Sequence, residues 1–289
     1  MSRGLISLDP NGEPQSQFVL HSAGRRLNLG QSGEPHVIQR VFSGWTTVSS
    51  ALHDLSSELL IVEGAKGTPD GEMVAKHFRK FIYDATELFD VYAQMLPSRL
   101  NASSRISKDA INDYKKIAKN RRDFSASLCN RCKHFGTEIK FLWCRSKDSG
   151  LGSSRFIACA YTDGDSLLRD EQIHHGNSSG IGITRTAYEI IHGLFRIDIA
   201  AASLLKKLPD QNTAPLKEVA PSLRIRKSLD ILTKLTPTHL DFETSMYDSV
   251  ALELVGLTLP RSQSKLLSGD LRFSIKHKIQ PGTSNYAIE

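Results

Sequence analysis

Little in this sequence places it outside ordinary globular proteins. Its 289 residues include four cysteines, two tryptophans and 7% aromatic residues. No apolar run approaches the ~20 residues that a membrane-spanning helix needs, so no such span is expected. The opening stretch MSRGLISLDPNGEPQSQ has no apolar core of signal-peptide kind. The cysteines are bunched at Cys129, Cys132, Cys144 and Cys159, which does not read as the framework of a secreted disulfide protein, so a reducing, cytoplasmic setting is expected. Phosphate-loop, dinucleotide, serine-elbow and H-E-x-x-H motifs are missing, and with them any expectation of a cofactor. What is present, 39% hydrophobic and 24% charged residues, is a globular composition of one large or two ordinary domains.

The formal net charge of +6 is unevenly placed. Residues 101–150 carry 12 basic and 5 acidic side chains, while the remaining chain is near balance. A concentrated excess of this kind suits a polyanion, and the scarcity of aromatic side chains for base stacking favours phosphate contacts over sequence readout.

Apolar periodicity predicts helices. Ile38, Val41, Phe42, Trp45, Val48, Leu52, Leu55, Leu59 and Val62 recur at three- and four-residue steps up to Gly64. Val74, Phe78, Phe81, Ala85, Leu88, Tyr92 and Leu96 mark a second helix, starting near Pro69-Asp70 and stopping at Pro97. A third begins at Ser107 and runs through Ile111, Tyr114, Ile117, Phe124, Leu128 and Cys132 to Gly136, with Ile117, Phe124 and Leu128 on the face opposite its basic one. A fourth carries Ala187, Ile191, Leu194, Phe195, Ala201, Leu205 and Leu208. Between the third and fourth, IKFLWC and RFIACAY flank a Gly/Ser-rich tip, which predicts a β-hairpin. Strands are also expected at QFVLH, at Val250–Leu259 and at Leu271–Ile279, whose alternation includes Arg272, Lys276 and Lys278. The expected fold class is mainly α with β additions: an irregular segment over 1–35, a helical bundle over 36–208 with a hairpin at about 137–162, a proline-rich linker over 209–221, and a β-containing module over 222–289.

The basic excess falls on the third helix. Lys115, Lys119 and Arg122 share a face, and Lys116, Arg131 and Lys133 add charge. The helix closes on Cys129-Asn130-Arg131-Cys132-Lys133-His134. This ending resembles the signature of the HEPN family, small helical-bundle domains of prokaryotic defence and toxin systems, in which an arginine and a polar residue precede a histidine. Asn130 and His134 match in type and spacing, and Cys129 stands where the family has arginine. The resemblance covers at most residues 36–208. It implies RNA binding in a stress or anti-phage setting, with metal-independent cleavage in which His134 would transfer the proton and Asn130 would orient the substrate. A neutral-range imidazole suits that task, whereas cysteine lacks the donor fork of a guanidinium. Lys115, Lys119, Arg122, Arg131 and Lys133 would hold phosphates. Arg-to-His spacings of five to seven residues recur at Arg169 with His174 and His175, and at Arg185 with His192.

Two alternatives use the same residues. A non-catalytic module that packs against a protein partner accommodates the loss of arginine at Cys129. A zinc-stabilised domain would draw on Cys129, Cys132, His134, Cys144 and Cys159, since C-x-x-C is a common half-site. Asp163, Asp165, Asp170, Glu171, His174 and His175 form an irregular polar stretch, expected to be a solvated turn.

Overall fold

The computed structural model describes residues 37–64, 71–103, 106–146, 152–163, 166–174, 181–205, 207, 223–235 and 250–253. Their elements run in the order α1 (Val37–Gly64), α2 (Gly71–Asp90), a π-helical turn (Val91–Met95), α3 (Leu96–Ser103), α4 (Lys108–His134), β1 (Glu138–Ser146), β2 (Gly152–Asp163), β3 (Ser166–Arg169), β4 (Ile181–Gly182), α5 (Ile183–Leu205), α6 (Leu223–Leu235) and β5 (Val250–Glu253). The fold is mainly helical with a small antiparallel sheet, as expected. Among the described residues, no helix is long and apolar enough to cross a membrane. The expected strands at QFVLH and Leu271–Ile279, the linker over 209–221 and the hairpin tip lie outside the described residues.

The chain forms two compact units, one of residues 1–51, 81–126 and 189–227, the other of 52–80, 127–188 and 228–289. In the first unit, α1 buries Val41, Trp45 and Val48, α2 buries Phe81, Ala85, Leu88 and Phe89, and α5 buries Leu194, Phe195, Ala201 and Leu205. Apart from Phe89, these belong to the predicted stripes. Gly44 lets α1 approach α2: a Cβ there would lie 2.8 Å from Leu88 Cδ1.

Two helical expectations are corrected. The second helical run does not stop at Pro97 but continues to Ser103. Proline lacks an N–H and crowds the turn before it. That preceding turn is widened to π geometry, with the Leu96 N–H donating to the Val91 carbonyl, so Pro97 falls in the first turn of α3, where it is tolerated. The apolar side of α4 is also displaced. Ile117 and Phe124 are 46% and 40% exposed, and the buried row is Ile111, Tyr114, Ala118, Ser125, Leu128 and Cys129. Small residues form part of this seam, and hydrophobicity alone does not flag them.

The start of α4 is as expected: Ser107 Oγ accepts from the Ala110 N–H at 3.3 Å. At its end Gly136 takes φ 68°, and the Thr137 N–H turns back to the Arg131 carbonyl at 3.3 Å. A Cβ disfavours this left-handed backbone. Gly136→Ala is therefore expected to cost about 1 kcal/mol, read as a lower midpoint in urea unfolding with an unchanged slope.

In the second unit, β1 and β2 pair antiparallel with Phe141 opposite Phe156 and Ile139 opposite Ala158. These four residues are buried, and Phe156 packs on Phe78 of α2 with ring centroids 4.7 Å apart. The sheet order is β3-β2-β1-β5, with β4 also on β2. β5, within the strand expected at Val250–Leu259, pairs with β1, so it belongs to the hairpin's sheet. α6, which the apolar pattern did not reveal, precedes it and buries Ile225, Leu229, Leu232 and Leu235.

Candidate nucleic-acid interface

The helical repeat places Lys108, Lys115, Lys119 and Arg122 along one flank of α4, at steps of seven, four and three. Lys108, Lys115 and Lys119 are exposed. Arg122 is partly buried and its Nε donates to Asp90 Oδ1 at 2.5 Å, the same oxygen that accepts from Gln94 Nε2 at 2.8 Å. It thus ties α4 to the end of α2. Lys116 is exposed and pairs with Asp113 at 3.3 Å, a contact of little energy at such exposure. Exposed acids, Asp109, Asp113 and Asp123, leave this stretch of α4 with a basic surplus.

Asn130, Arg131, Lys133 and His134 belong to the second unit. Asn130 and His134 are exposed, one helical turn apart, and Lys133 is also exposed. Cys129, at the position of the HEPN arginine, is buried. Arg131 is committed internally: its Nε donates to Asp170 Oδ2 at 2.5 Å and its guanidinium lies 4.3 Å from the Phe135 ring centroid.

Asp170 corrects the expected solvated turn. It is 2% exposed. Oδ2 also accepts from Thr137 Oγ1 at 2.8 Å, and Oδ1 from the Gln172 N–H at 3.0 Å. Burial pushes this carboxyl up, but the hydrogen bonds from Arg131, Thr137 and Gln172 and the Arg131 charge outweigh it, holding Asp170 below the usual carboxylate range. Its N–H donates to the Ala158 carbonyl at 2.9 Å, and the Ala158 N–H donates to His174 Nε2 at 2.9 Å. The turn therefore satisfies both backbone groups of Ala158, between the points where β3 and β4 pair with β2. His174 is fully buried in this role. Glu171 is exposed, and Asp165 and His175 lie outside the described residues.

Cys129, Cys132 and Cys159 are thiols outside any disulfide. Burial, only partly offset by Arg79, pushes Cys132 up to about 11, and burial pushes Cys159 up to about 12. Both stay protonated at neutral pH, the opposite of a primed metal ligand. Among the described residues, no three His, Cys, Asp or Glu side chains converge as a metal site.

Two groups of polar residues in the first unit escaped the sequence. In the first, Trp45 Nε1 donates to Tyr92 Oη at 2.9 Å, and Tyr92 Oη donates to Asp198 Oδ1 at 2.6 Å. Tyr114 Oη donates to the Tyr92 carbonyl, in the π-helical turn, at 2.9 Å. Burial, with the Asp198 charge, raises Tyr114 well above the usual tyrosine range, so the phenol keeps the proton it donates. In the second, α4 and α5 meet at Gly193, where a Cβ would lie 3.3 Å from Phe89 Cζ and 3.8 Å from Arg121 Cβ. His192 is half-buried beside it. Burial lowers its pKa, the charges of Arg121 and Arg196 lower it further, and Glu189 opposes them. The spacing of Arg196 from His192, one helical turn, was the only available signal. Comparison with family models, with curated proteins and with solved structures gave no match.

Proposed function

We propose that this protein binds RNA through phosphate contacts made by α4. The supporting observation is the exposed flank of Lys108, Lys115 and Lys119 on a helix with a basic surplus. Lysines on a rigid helix act as point charges toward a phosphate backbone and carry little sequence preference. The HEPN resemblance adds the class of partner and the defence setting.

Binding is proposed in preference to cleavage. Exposed His134 with Asn130 supplies the acid/base half of the HEPN arrangement. The phosphate-stabilising half is weak, because Cys129 is buried and Arg131 is held by Asp170. A protein–protein interaction module is the alternative, favoured by the exposed Ile117 and Phe124.

Binding of a fluorescent mixed-sequence RNA, followed by anisotropy across a salt series, tests the proposal. Affinity is expected to fall steeply with salt. Lys115→Gln with Lys119→Gln is expected to weaken binding about tenfold or more at low salt and to flatten the log–log slope by about 1.4, the loss of two single-strand phosphate contacts. RNA that does not bind, or binds without salt dependence, overturns it, and RNA left intact by wild type and His134→Ala alike confirms binding without cleavage.

A further inference from the structure

The flank of α4 away from the lysines carries a different arrangement. Arg121 projects there with Ile117 four residues before it and Phe124 three residues after it, so the three are neighbours along the helix surface. Across the contact at Gly193, α5 brings His192 and Arg196, one helical turn apart. Arg121 and Arg196 are both exposed, and neither forms an ion pair among the described residues. Each is close enough to His192 to oppose its protonation, and Glu189 on α5 is the acidic group acting against them. Two guanidiniums gathered on one half-buried imidazole repel one another, and an anion seated among them relieves that repulsion. Guanidinium forks match the oxygens of a phosphate in pairs. Phe124, 40% exposed and one turn from Arg121, provides an aromatic face where a base leaving that phosphate can stack.

We propose that Arg121 and Arg196, with His192 beside them, form a phosphate-binding site for single-stranded RNA in which Phe124 stacks on an adjacent base. The inference rests on the RNA-binding reading above and deepens it. It names single strands because a base must be unstacked to lie on an aromatic ring, whereas the lysine flank serves any phosphate backbone.

The test compares anisotropy of a labelled single-stranded RNA and of an RNA duplex on the full chain. Arg121→Gln with Arg196→Gln is expected to weaken single-strand binding about tenfold or more and to flatten its salt slope by about 1.4. Phe124→Ala is expected to weaken single-strand binding about tenfold and leave duplex binding unchanged. All three side chains are exposed, and matching thermal unfolding of each variant with wild type confirms that the fold is intact. Wild-type binding that Lys115→Gln with Lys119→Gln weakens but the arginine pair does not would overturn this site alone. Equal loss of single-strand and duplex binding in Phe124→Ala would remove the stacking role. Absence of RNA binding by the wild type overturns both readings together.

Discussion

Asp170→Ala is expected to destabilise the second unit by about 3–5 kcal/mol, the usual cost of removing one partner of a buried ion pair. The carboxylate accepts from Arg131, Thr137 and the Gln172 N–H. Without it, the partly buried Arg131 charge and the Thr137 hydroxyl lose their acceptor. The turn that completes the edge of β2 at Ala158 also loses its anchor. A lower urea midpoint measures the loss, and Asp170→Asn is expected to cost less, because it retains an acceptor oxygen. The pH dependence has a defined sign. Asp170 is held below its unfolded value, so its contribution is fully present above about pH 4, the ordinary carboxylate value, and is lost as pH falls through the depressed native one. Wild type is thus expected to lose stability in acid more steeply than Asp170→Asn. Equal acid profiles for the two would show that the carboxylate charge contributes nothing.

Tyr92→Phe is expected to cost about 3 kcal/mol in the first unit, although it removes a single oxygen. That oxygen accepts from Trp45 Nε1 and donates to Asp198 Oδ1, and all three side chains are buried. The variant leaves an indole N–H without its acceptor and a fully buried carboxylate without a short hydrogen bond. Each such loss is worth about 1–3 kcal/mol. Trp45 also packs on Phe195 with ring centroids 4.9 Å apart and planes tilted by 40°, so its fluorescence reports on this region. A midpoint within about 0.5 kcal/mol of wild type, the range of an ordinary surface substitution, would show that the network adds no stability.

Both predictions concern residues whose roles the sequence did not announce. Asp170 stood in a polar stretch that resembled a solvated turn, and its partner Arg131 resembled a phosphate ligand. They are 39 residues apart. Tyr92 looked like one more apolar position in a helical stripe, and Asp198 an acid at the fourth helix, 106 residues away. No local pattern relates such pairs. Arg122, another expected phosphate ligand, is likewise tied to Asp90, 32 residues away. Of the basic residues nominated for RNA, Lys115 and Lys119 are exposed on the flank where the helical repeat put them.

The sequence by itself determined most of the helices and the hairpin, though not α6 or the short strands β3 and β4. Helical and strand periodicities are local, so the stripes of α1, α2 and α5, the Ser107 cap, the terminating glycine Gly136 and the β1–β2 hairpin could all be read from spacing. It also determined that the basic excess lies on α4. Tertiary structure decided which of those charges face solvent and which are neutralised within the fold, because a charge is assigned by what packs against it and not by its neighbours in sequence. It likewise turned the apolar side of α4 away from Ile117 and Phe124, since a helix buries the row that fits its partners closely, and here that row includes Ala118 and Ser125.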